Sequence, residues 1–254
     1  MIIRKSQQEI ETMARAGGVV AGALALLGEH IQPGVTTGEL DAVAEEFIRS
    51  HGGVPTFKGY KGYPAATCLS PNGVVVHGIP GTTKLADGDI LSVDVGVTLD
   101  GFVADSAWTY PVGSIAPETQ RLLDVCKAAL TQGIAEARLG NSIGDISRAV
   151  QTVTEAAGFS VIRSLVGHGV GRSMHEDPQV PNFVSSYTGP ELQEGMTIAI
   201  EPMITAGGAD VYIHDDEWSI STVDGSLAAH FEHTVAITGE GPRILTDDAG
   251  VLVR

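Results

Sequence analysis

The sequence holds only two cysteines, Cys68 and Cys126. Two thiols in no C-x-x-C spacing exclude a disulfide framework and a thiolate zinc site, and they suit a reducing compartment. Positive charge is scarce as well. Lys and Arg number 15 against 31 Asp and Glu, a net charge of −16, so a polyanion is repelled at long range and direct nucleic-acid binding is not expected. No apolar run approaches the ~20 residues of a membrane span. Arg4 and Lys5 ahead of "GGVVAGALALL" resemble a leader peptide, but Ser6 and Glu9 have capping-box spacing and Ile10, Met13, Gly17, Val20, Leu24 and Leu27 follow at helical intervals. The expectation is an amphipathic first helix on a cytoplasmic protein with no membrane partner.

What the chain does have is an internal repeat. "GVTTGELDAVAEEFIRSHGG" from Gly34 and "GNSIGDISRAVQTVTEAAGF" from Gly140 match 106 residues apart, each with a capping signal, Thr36 with Glu39 and Ser142 with Asp145. The match runs on, 107 residues apart, from "DGDILSVDVG" to "EGMTIAIEPM", which lays Asp94 on Glu201. With about 20 extra residues in the segment 203 to 225, "VADSAWTYPVG" lies over "HFEHTVAITG" and puts Asp105 on Glu232. "HGIP" and "HEDP" give each half an H-x-x-P, at His77 and His175, and leave His168 without a mate. Helices alternating with short strands and turns indicate an α+β fold, a mostly antiparallel sheet covered by helices from both halves. Halves of about 1–115 and 116–254 that build one site between them make residues 1–254 a single domain.

A carboxylate inside an apolar strand costs several kcal/mol unless it is paired or metal-bound, and here the costly choice recurs. Asp94, Asp105, Glu201 and Glu232 with an imidazole form an oxygen-rich set suited to Mn, Fe, Co or Zn. Their four negative charges balance two divalent ions. Such a pair lowers the pKa of water toward ~7 and polarises a carbonyl, so the chemistry indicated is hydrolysis. "GHGVGRSMHEDP", residues 167 to 178, has neither G-x-G-x-x-G spacing nor a G-K-[ST] ending, which argues against a phosphate loop, and its histidines are too far apart for an H-E-x-x-H zinc site. Its glycines would let backbone approach the site closely.

"NGVVVHGIP", "VDVGVTLDGFVADSA", "GHGVGRSMHEDP", "IEPM" and "FEHT" together resemble the type I methionine aminopeptidases of the bacterial kind, and with the first helix the likeness covers nearly the whole chain. The resemblance implies the pita-bread fold around a dinuclear site. It makes Asp94, Asp105, His168, Glu201 and Glu232 metal ligands, Asp105 and Glu232 bridging. Glu201 is then also the proton shuttle for a bridging water, and His77 and His175 contact the scissile peptide. Tyr60, Tyr63, Cys68, Trp218 and Met174 match the methionine pocket. The implied activity is removal of initiator methionine from nascent chains when the second residue is small, by a monomer that can meet its substrate at the ribosome.

Two departures stand out: Met174 where phenylalanine is frequent, and His230 where glutamine is common, which bears on a hydrogen bond or local pKa behind the ligands. His30, His51, His214 and His233 match nothing catalytic, and His233 should face away from Glu232. Prolidases and aminopeptidase P share the metal set but carry a large N-terminal domain. A catalytically dead relative that only binds peptides would have lost ligands, and all five are present.

Overall fold

A computed structural model describes residues 1–186 and 188–247. The first half runs α1 (Gln7–His30), α2 (Thr37–Ser50), β1 (Val54–Pro55), a 3-10 turn at Tyr60–Gly62, β2 (Cys68–Pro71), β3 (Val74–Val76), β4 (Ile90–Leu99) and β5 (Phe102–Pro111). The second half runs α3 (Pro117–Glu136), α4 (Ile143–Ala156), β6 (Ser160–Val161), β7 (Val166–Gly169), β8 (Glu176–Pro181), β9 (Thr197–Ile200) and β10 (Met203–Thr205). It continues through β11 (Val211–Ile213), β12 (Ile220–Thr222), β13 (Ala228–His230), β14 (His233–Thr238) and β15 (Gly241–Ile244).

Local chemistry sets the boundaries. Ser6, Thr36 and Ser142 each head a helix with a reciprocal capping box, closed by Glu9, Glu39 and Asp145. β4 and β5 are joined by Asp100 and Gly101 at φ 49° and 78°, the doubly positive pair that a two-residue hairpin requires. By length and hydropathy α1 is apolar enough to cross a membrane, which the sequence reading did not expect. Its buried stripe of Val20, Leu24 and Leu27 instead packs with α2 on Val93, Val95 and Val97 of β4. α3 and α4 cover Ile198 and Ile200 of β9 in the same way. Because strand side chains alternate, the residues between these valines and isoleucines face the other way, toward the middle of the molecule.

The strand registers extend the repeat beyond the helices. β1 and β2 pair with β4, which also pairs with β5; β6 pairs with β10, β7 with β9, and β13 and β14 take the place of β5. Pro71 opposite Leu91 matches Gly169 opposite Ile198, so the first-half place equivalent to His168 belongs to Ser70, and the same shift of 98 residues carries His77 onto His175.

The expected superposition of Asp105 on Glu232 needs correction. Gly96 faces Asp105 and Met203 faces His230, so the mate of Asp105 is His230 and the mate of Ala107 is Glu232. A two-residue slip keeps every side chain on its own face, which is why the pattern of acids alone could not detect it. The additional residues fall at 206–227 and form the β11–β12 hairpin, which pairs back onto β3 of the first half and delivers Trp218.

A buried carboxylate cluster and its apolar slot

Asp94 and Asp105 point inward from β4 and β5, Glu201 from the break that Pro202 makes between β9 and β10, and Glu232 from the matching break between β13 and β14. The residues Asp94, Asp105, Glu232 and His168 are 9%, 3%, 2% and 8% exposed. Asp94 Oδ1, Asp105 Oδ1 and Glu232 Oε1 are buried with no hydrogen-bond partner. Donor atoms of Asp105, His168 and Glu232 lie within 4.8 Å of one another.

His168 Nδ1 is 2.9 Å from the carbonyl oxygen of Gly169 and donates its proton there. The other nitrogen, Nε2, therefore turns a lone pair toward Glu201 Oε1 at 3.6 Å and Asp105 Oδ2 at 3.9 Å, the arrangement that fixes a metal-binding imidazole. Burial lowers the His168 pKa to about 4. Burial also raises Asp94 to about 7 and pushes Asp105, Glu201 and Glu232 well above the carboxylate range, with mutual repulsion adding to it for the last three. Orphaned anionic oxygens and an oriented neutral imidazole fit divalent cations; without them the cluster can relieve its repulsion only by taking up protons.

The cluster forms one end of a cavity of about 330 Å³. Tyr60, Tyr63, Cys68, Met174 and Trp218 line it, so the structure brings together every residue expected in the pocket. Cys68 sits opposite Asp94 in the β2–β4 register, which joins the apolar slot to the acids. Tyr63 donates to the carbonyls of Thr67 and Gly78 and meets Trp218 edge-on at 5.0 Å. His77, at φ 58°, lies edge-on to Trp218 at 6.3 Å. Burial lowers its pKa to about 4. His175 stands at the exposed rim, its Nδ1 2.9 Å from Tyr60 Oη.

Phe57, Leu165 and Met203 also line the cavity and were not among the expected site residues; His230, noted in the sequence as a departure behind the ligands, lines it too. Phe57 stands edge-on to Tyr63; its spacing from Tyr60 was the only available signal. His233 faces away, its Nδ1 2.8 Å from Thr246 Oγ1, and His30, His51 and His214 pair elsewhere. The glycines beside His168 do a different job from the one expected. A Cβ at Gly167 would come 2.4 Å from the Ala199 carbonyl oxygen, and one at Gly169 2.1 Å from that of Asp177. They let β7 lie tightly between β8 and β9; the space they leave is filled by backbone.

The model of metallopeptidase family M24 matches residues 11–239. The methionine aminopeptidase of Clostridium perfringens is 50% identical over 246 residues, spanning 97% of this chain and 99% of that one. Methionine aminopeptidase 1 of Bacillus subtilis is 49% identical over the same shares. The crystal structure of the Thermotoga maritima methionine aminopeptidase superimposes with a TM-score of 0.95 at 45% identity, covering 98% of this chain and all of that one.

Proposed function

The chain belongs to metallopeptidase family M24, and from that premise we propose that residues 1–254 form a single catalytic domain that removes the N-terminal methionine of nascent proteins whose second residue is small. The observation that carries this reading is the junction of a buried carboxylate cluster, three of whose oxygens lack a hydrogen-bond partner, with a largely apolar cavity. One end fits cations and a free amine, the other a single unbranched side chain.

Asp94, Asp105, His168, Glu201 and Glu232 would hold two divalent ions. Ions of the Co, Mn, Fe or Zn kind supply Lewis acidity for the scissile carbonyl and lower the pKa of bound water. Asp94, next to Cys68, faces the substrate's α-amine. Tyr60, Tyr63, Cys68, Met174 and Trp218 enclose the methionine thioether, a soft group that packs well against thiol and aromatic walls. Glu201 takes a proton from the attacking water and returns it to the leaving amine, a task favoured by a carboxyl pKa raised through burial. His77 is neutral at pH 7 and, with His175, binds the scissile peptide through hydrogen bonds. The enzyme works as a cytoplasmic monomer, reaching its substrates as they leave the ribosome.

Met-Ala-Ser, acetyl-Met-Ala-Ser and Met-Leu-Ser separate the parts of this account. Only the first should release methionine efficiently. Equal cleavage of the acetylated peptide would remove the amine-binding role of the cluster, and equal cleavage of Met-Leu-Ser would remove the preference for a small second residue.

A further inference from the structure

His230 ends β13 inside the cluster, its side chain 2% exposed. Both ring nitrogens are buried with no hydrogen-bond partner. Nε2 stands 3.6 Å from Glu201 Oε2 and 3.8 Å from Glu232 Oε2. With cations in the site the carboxylates are ionised and only accept, so the nitrogen turned toward two of them would then carry the proton. The gap exceeds a hydrogen bond by a few tenths of an ångström, which a small rotation of the Glu201 side chain closes.

The repeat gives a second, independent reason. Thr109 Oγ1 bridges the backbone N–H and carbonyl of His230, and Thr234 Oγ1 bridges those of Asp105 in the same way. Together with the strand registers, this makes His230 the twofold mate of Asp105, set beside Glu201 as Asp105 is set beside Asp94. One half thus fills this place with a carboxylate and the other with a neutral donor.

We propose that His230 is a positioning residue for Glu201: its Nε2–H holds Oε2, which leaves Oε1, on the His168 side, for the metal. This rests on the reading of Glu201 as ligand and base given above. Asp105 and His230 then divide two jobs between equivalent places, binding cations in one half and fixing the proton-carrying carboxylate in the other.

The test compares His230→Leu with His230→Gln, whose amide can donate from nearly the same place, using cobalt(II) as the probe. Loss of such a supporting hydrogen bond typically costs 10- to 100-fold. His230→Leu should therefore lose about that factor in kcat for Met-Ala-Ser, with KM changed less than about 3-fold, and bind cobalt about 10-fold more weakly by calorimetry. His230→Gln should recover most of both losses, and the visible cobalt bands of both variants should stay at their wild-type positions. A Gln variant as impaired as the Leu variant overturns the proposal, and a band shift in both would make His230 a ligand instead. A Leu variant that behaves as wild type overturns it too. If the wild-type protein releases no methionine, the proposed function fails, while cobalt affinity and spectrum still decide the role of His230.

Discussion

Lys5 and Glu176 form an ion pair in which the side chains are only 2% and 7% exposed, with Nζ 2.5 Å from Oε2. Nζ also donates to the Ile3 carbonyl at 3.1 Å, and Glu176 Oε1 accepts from the Ser173 N–H at 3.1 Å. The N-terminal arm thereby clamps the loop that ends in His175. Replacing Lys5 by Met keeps the stem volume but strands a buried carboxylate, which in comparable cases costs ~3–5 kcal/mol. For a chain of this size each kcal/mol moves the melting temperature by ~2–4 °C, so a fall of about 6 to 20 °C is expected in scanning calorimetry. The double variant Lys5→Met/Glu176→Gln removes both charges and keeps an acceptor for Ser173, so it should recover more than half of the loss. Methionine release by the single variant should fall while its metal content holds, because the damage reaches His175 and not the ligands. A Lys5→Met protein that melts within ~2 °C of wild type, or a double variant no better than the single, would refute the reasoning.

Replacing His168 by Ala should weaken cobalt binding, measured by calorimetry, whereas His175→Ala should keep its metal and lose ~10²–10³ in kcat; the reverse pattern would exchange their roles. In metal-free protein the cluster carboxyls have folded pKa values above their unfolded ones, with Asp94 at about 7 against an ordinary 3.8. Their contribution to stability is complete below their unfolded pKa values and is lost as pH rises through the folded ones. Chelated protein should therefore melt progressively lower between about pH 5 and pH 8, and divalent metal should flatten the slope; a slope that metal leaves untouched would contradict the cluster's role. Gly169→Ala drives a Cβ into the Asp177 carbonyl and should destabilise by ~3 kcal/mol or more, read from denaturant midpoints; a loss under ~1 kcal/mol would show that β7 can shift.

Signals written into a few adjacent residues were legible. The capping residues Ser6, Thr36 and Ser142 announced three helix starts, and the repeat of α2 in α4 announced the twofold plan before any strand was paired. Features set by contacts across the sheet were not. A two-residue slip leaves the face of every strand residue unchanged, so the mate of Asp105 emerged only from the ladder, as His230. The glycines around His168 were expected to bring backbone close to the site, and nothing local says that the neighbouring strands' backbone is what approaches them. Phe57 carries no distinctive motif and enters the slot because β1 delivers it there. The four acids were legible in another sense: a carboxylate in an apolar strand is costly enough to stand out.

Loaded with metal, this carboxylate cluster is expected to cut after an N-terminal methionine. The most direct test is to strip the protein of metal, titrate in Co(II) or Mn(II), and follow methionine release from Met-Ala-Ser beside an Xaa-Pro peptide, with Glu201→Ala as control. Release should start with metal, favour Met-Ala-Ser, and be lost in Glu201→Ala. Release without metal, no release with any divalent ion, or a preference for the Xaa-Pro peptide would contradict this.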